Sequence, residues 1–134
     1  MESTAVLLVS APNLAGEQFI QHLNRKCIPF AAIVNSKQEY NRMTQLGVAR
    51  IVKVNTKEEH TWTVPDFPVG KVILFEKSLT LCCRYIQICR SWTPKPICVV
   101  TGSMNPRLIY RGLGAKIVVH TNGKDVGFLA NEEM

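Results

Sequence analysis

The side chains best placed for chemistry sit where apolar runs give way to polar residues. The first run, Ala5–Ser10, opens into a loop of Ser10, Ala11, Pro12, Asn13, Leu14, Ala15 and Gly16. Laid on Gly-x-Gly-x-x-Gly, the strand-to-helix turn that cradles a pyrophosphate, it reads Ala-x-Asn-x-x-Gly, with Ala11, Asn13 and Gly16 in the three glycine places. Those places ask for a tight turn, for access of phosphate to backbone, and for close helix–strand packing. Gly16 meets the third demand and Ala11 is small enough for the first. At the second, the Asn13 side chain is expected to stand where a pyrophosphate oxygen would lie, and Pro12 offers no N–H. The helix N-terminus behind the loop still attracts an anion.

The second run ends in Val34, Asn35, Ser36 and Lys37, about 20 residues after the loop, where an acid would hold the ribose hydroxyls of NAD. Asn35, Ser36 and Lys37 suit a phosphate instead, so a dinucleotide bound here is expected to be NADP rather than NAD. The plainer alternative makes Ser36 a helix cap and Lys37 a solvated charge. Asn55 and Thr56, after the third run, either edge an adenine pocket or form a turn. Glu76 and Lys77 after the fourth run, and Thr101, Gly102 and Ser103 around the end of the fifth, complete the candidates on one sheet edge.

A catalytic set is not legible among them. Tyr40, Tyr85 and Tyr110 are followed at i+4 by Thr44, Cys89 and Gly114, so no Tyr-x-x-x-Lys proton relay exists. Asn55 stands where a phosphoacceptor aspartate would be needed. His22, His60 and His120 are scattered without metal-ligand spacing. No nucleophile–base–orienter set emerges, and the expectation is a protein that is not an enzyme and holds no metal.

These residues are positioned by six short apolar runs: Ala5–Ser10, Phe30–Val34, Arg50–Val54, Lys71–Phe75, Pro96–Thr101 and Lys116–His120. Continuous Val, Ile and Leu predict strands buried on both faces of a parallel sheet. Helices are predicted over 15–26, from the Ser36/Glu39 capping box to near Gly47, over Ser78–Trp92, and from Asn105-Pro106 to Gly112 or Gly114. The segment 56–70, with Pro65 and Pro68, is expected to be mostly loop. Such alternation predicts a doubly wound α/β sheet, Rossmann-like, in three layers. The 134 residues make one domain, with its core in 5–121 and a tail at 122–134.

The helix Ser78–Trp92 carries two apolar stripes. Leu79, Cys82, Ile86 and Cys89 should face the sheet, which leaves Leu81, Tyr85, Ile88 and Trp92 needing another partner. A homodimer through this second stripe, with Arg84 and Arg90 on its rim, is one expectation. The alternative is that the proline loop, with Trp62 and Phe67, folds back over it.

Composition narrows the class. With 46% hydrophobic and 19% charged residues the chain is globular, and its formal net charge is +6. Residues 71–120 hold eight Lys or Arg against Glu76 alone, a basic half suited to a nucleotide or another anionic partner. Five cysteines without Cys-x-x-Cys pairing suit a reducing cytoplasm. The start, MESTAVLLVSAP, reads as neither a signal peptide nor a membrane span.

The series VLLVSAPNLAG, FAAIVNS, LGVARIVKVNT, KVILFEK and PICVVTGSMNPRLIYRGLGAKIVVHT resembles a small Rossmann domain throughout residues 5–121. It is most similar to the nucleotide-binding domains that regulate potassium channels and transporters (Trk-type, RCK). In those a short helix ends in Leu-Gly-Ala before the sixth strand, as Leu113, Gly114 and Ala115 precede Lys116–His120 here. The first half also resembles NmrA-like atypical short-chain dehydrogenases, at Val34-Asn35. Departures are the two missing glycines, the missing acid after strand two, and Asn55 in place of aspartate. The resemblance implies a regulatory domain with weak or vestigial (di)nucleotide binding (NADP, another nucleotide, or none). Two alternatives remain: a small NADP-dependent oxidoreductase completed across a dimer, and an interaction module whose basic 71–120 face meets an acidic protein or, less expected, nucleic acid.

Overall fold

Val-, Ile- and Leu-rich segments that leave neither face polar must be covered on both sides, and the chain does this with one sheet between two helical layers. In the computed structural model, which describes residues 5–58, 62–102 and 107–120, the strands are β1 (Val6–Ser10), β2 (Phe30–Val34), β3 (Ile51–Lys53), β4 (Val69–Phe75), β5 (Ile97–Thr101) and β6 (Ile117–His120). The helices are α1 (Leu14–Arg25), α2 (Lys37–Gln45), α3 (Leu79–Trp92) and α4 (Arg107–Leu113). The sheet is wholly parallel, in the order β3-β2-β1-β4-β5-β6. The chain winds outward from β1 to one edge, returns to β4 beside β1, and winds to the other. That reversal opens a crevice at the carboxyl ends of the central strands.

Strand alternation divides the core in two. Val9, Ala32, Ile73 and Val100 face Phe19, Ile20 and Leu23 of α1 and Met43 of α2. Leu8, Ile33, Leu74 and Val99 face Tyr85, Ile86 and Cys89 of α3 and Tyr110 of α4. β3 is shorter than the expected Arg50–Val54 and only half-buried, as befits an edge strand, whereas β4 begins two residues before Lys71. The described parts of 54–68 are non-helical, as the prolines require. Gly114 ends α4 at φ 124°, a left-handed conformation, and a Cβ there would come 3.0 Å from Arg90 Cδ. The expected start of α4 at Asn105-Pro106, Ser103, His60 and the 122–134 tail lie outside the described residues.

The second stripe of α3 is not an outer surface. Tyr85, Ile88 and Trp92 are buried within the chain, and half-buried Leu81 packs beside them. Trp62 and Phe67 of the proline loop pack on the same cluster, and the Trp92 indole donates to the Trp62 carbonyl at 3.2 Å. The loop packs where the missing helix would have packed, so Tyr85, Ile88 and Trp92 offer no face to a second copy, while Leu81 lines a cleft. Arg90 is no rim charge either, because its guanidinium donates to the carbonyls of Thr93, Lys95 and Gly114.

Candidate functional site

The β1–α1 turn turns inward upon itself. Asn13 is the N-cap of α1: its Oδ1 accepts from Gly16 N at 2.8 Å, and its Nδ2 donates to the Glu76 carbonyl at 2.9 Å. An asparagine that both caps a helix and bridges to β4 is a structural clamp. It uses one of the first-turn N–H groups that would face a phosphate, and Pro12 has none, leaving Leu14 and Ala15 as the donors the helix start can still offer. Gly16 answers the packing demand: a Cβ there would lie 2.7 Å from Ala11 Cα and 3.2 Å from the Phe75 ring.

Glu76 continues the clamp. Its carboxylate accepts from the Thr101 hydroxyl at the end of β5 and from the Tyr110 hydroxyl of α4. Burial, then the bond to Glu76, raises the Tyr110 phenol above its ordinary range. Burial also pushes the neighbouring Cys82 thiol up to about 12. Ser10, Asn13, Glu76 and Thr101 thus stand at one end of the sheet, where Glu76 bonds both Asn13, through its carbonyl, and Thr101, through its carboxylate. The buried Ser10 and Tyr85 hydroxyls neighbour each other, and neither makes a hydrogen bond of normal geometry among the described residues.

The other half of the crevice is open. Asn35, Ser36, Lys37, Asn55 and Thr56, proposed from scattered positions in the sequence, line one cleft of about 640 Å³ together with Lys53, Val54 and Lys57. An adjoining cleft of about 460 Å³ shares Asn35, Ser36, Thr56 and Lys57 and extends to Lys77 and Arg84 beside the start of α3. Ser36 does cap α2, accepting from Glu39 N at 3.1 Å, while Glu39 Oε1 accepts from Asn35 N at 3.2 Å. Asn55 does make a turn, its Oδ1 accepting from Lys57 N at 3.0 Å. Each of these plainer roles coexists with lining the cleft. Residues 10–16, Glu76 and Thr101 line neither cleft. Sequence reading missed Lys53, Lys57 and Arg84 as cleft residues. The first two flank Asn55-Thr56 at the same strand end, a usable signal; Arg84 was assigned to a dimer rim. It also missed Tyr110 as the partner of Glu76.

Strand order, layers and switch-point crevice define a Rossmann-type α/β domain. No protein-family model matches the chain, and no curated protein matches it. Solved structures do match. The TrkA-N domain of the inner membrane protein ybaL from Escherichia coli superposes with a TM-score of 0.67 at 17% identity, over 90% of each chain. The NAD(P)-binding domain of an exopolyphosphatase-related protein from Archaeoglobus fulgidus gives 0.71 at 17% identity, over 88% of this chain and 89% of that one. The GsuK channel bound to NAD gives 0.70 at 15% identity, over 88% of this chain and 22% of the channel chain. The fold is therefore that of TrkA-N and RCK domains, as the sequence resemblance implied. No helix among the described residues is long and apolar enough to cross a membrane.

Proposed function

We propose that the chain is a non-catalytic, cytoplasmic regulatory domain that binds a (di)nucleotide weakly, NADP in preference to NAD. The observation that carries this reading is the convergence of Asn35, Ser36, Lys37, Asn55 and Thr56 on one open cleft at the carboxyl ends of β2 and β3. The end of β2 supplies an amide, a hydroxyl and a lysine where a ribose-binding acid would favour NAD. Support for weak binding comes from Asn13, whose side chain takes up part of the helix start that would otherwise meet a pyrophosphate. Structures of the same fold are described as NAD(P)-binding and as NAD-bound. Homodimerisation loses its sequence-based support with the burial of the second α3 stripe.

The test is thermal unfolding with NADPH, NADP, NADH, NAD, ATP and AMP. A ligand at 100 times its Kd stabilises the folded state by about 2.7 kcal/mol, a shift of several degrees for a domain of this size. The expected result is a shift with NADPH or NADP that exceeds the shift with NADH or NAD. No shift with any nucleotide would overturn the reading.

A further inference from the structure

We infer that the crevice holds its ligand by an oligophosphate chain laid along the β2/β3/α3 side, not by a pyrophosphate on the β1–α1 loop. The inference rests on the reading of the cleft at the ends of β2 and β3 as a ligand site and specifies its chemistry. The two adjoining clefts are lined by Lys37, Lys53, Lys57, Lys77 and Arg84, which come from the start of α2, the second turn of α3, the end of β3, and the segments following β3 and β4. All five are exposed, and none makes an ion pair among the described residues. The carboxylate in this lining is Glu39, which already accepts from Asn35 N.

Five like charges around one groove repel one another, and a polyanion lying between them relieves that repulsion. Ser36 and Ser78, the N-caps of α2 and α3, both line the second cleft, so two helix N-termini add their partial positive charge to it. The usual phosphate position is less well equipped in this chain: Pro12 lacks a donor and Asn13 already bonds Gly16 N. A chain of several phosphates can meet more of these cations at once than a single phosphate can, so a nucleoside triphosphate or inorganic oligophosphate fits better than a nucleoside monophosphate.

Calorimetric titration of the full chain with sodium tripolyphosphate, ATP, AMP and adenosine tests this. Tripolyphosphate and ATP are expected to bind, with affinity falling as salt rises, AMP at least about tenfold more weakly, and adenosine not measurably. Lys57→Glu and Lys77→Glu are each expected to weaken ATP and tripolyphosphate about tenfold or more. Lys26→Glu, at the far end of α1, alters net charge equally and is expected to change binding less than about twofold. Equal weakening by Lys26→Glu, or adenosine binding as tightly as ATP, would overturn the inference while leaving nucleotide binding intact. Tripolyphosphate binding without any preference for ATP would keep the oligophosphate site and remove the nucleotide. Binding of none of the four would overturn the inference, and only the absence of NADP and NADPH binding as well would overturn the nucleotide reading.

Discussion

At the scale of single residues, Asn13 holds together what the crevice needs held. Its side chain fixes the first turn of α1 and the end of β4 at once. Asn13→Ala removes both bonds; the cap alone is worth about 1 kcal/mol, and the lost bond to the Glu76 carbonyl about as much again. A loss of roughly 2 kcal/mol in denaturant unfolding is expected, and an unchanged midpoint would show that the clamp carries no stability. Tyr85 behaves oppositely. Its hydroxyl is buried beside the Ser10 hydroxyl without a bond of normal geometry among the described residues, and burial, followed by the nearby Glu39 charge, raises its phenol above the ordinary range. Removing a buried hydroxyl whose neighbour is a poorly aligned Ser10 hydroxyl removes a desolvation penalty and little bonding, so Tyr85→Phe is expected to lie within about 1 kcal/mol of the wild type. A loss greater than about 1 kcal/mol would show that the contact with Ser10 is a full hydrogen bond.

At the scale of elements, the strands were legible because buried parallel strands write themselves as short, continuous, β-branched runs, and AVLLV, KVILF and ICVV are too short and too rich in Val and Ile to favour buried helices. β3 was the weakest signal, since its half-buried edge position asks less of its residues. The candidate cleft was legible in part: strand ends converge by topology, so Asn35 and Thr56 could be placed together from sequence order alone. What covers α3 could not be read, because periodicity shows that Leu81, Tyr85, Ile88 and Trp92 need a partner without saying which. The answer lies in a loop with no period of its own, where only Trp62 and Phe67 hinted at a buried role. Trp62 donates to the Asn55 carbonyl and accepts, through its own carbonyl, from Trp92. Trp62→Ala should therefore cost about 2–3 kcal/mol, below the figure for a fully buried tryptophan because Trp62 is half-buried. Denaturant unfolding measures it, and a change below about 0.5 kcal/mol would mean that the loop does not seal the α3 face.

For the whole molecule, ionisation couples the two core layers to pH. At the acid end, the bidentate bond from Arg42 holds the Glu17 carboxyl below its usual range. A lowered folded value stabilises above the unfolded pKa, and that support is lost as pH falls through the folded value. At the basic end the thiols matter more, because they are buried in both layers: Cys82 and Cys89 against α3's side of the sheet, Cys98 against α1's. Burial pushes Cys82 to about 12 and Cys98 to about 11, and raises Cys89 as well, whereas an unfolded thiol ionises near about 8.5. With the folded values above the unfolded ones, stability is complete below the unfolded pKa and is lost as pH rises toward the folded values. Each thiol then contributes a decline of up to about 1.4 kcal/mol per pH unit, beginning below the range where unfolded tyrosine, near about 10, adds its own. Denaturant unfolding between pH 8 and pH 10 is expected to show this decline, and Cys98→Ala should flatten it. The same burial protects the thiols kinetically. At pH 8 an aromatic disulfide reagent should modify exposed Cys27 rapidly, half-buried Cys83 slowly, and the other three only in denaturant. Rapid labelling of all five in the native protein would mean that the layers open far more readily than their packing implies.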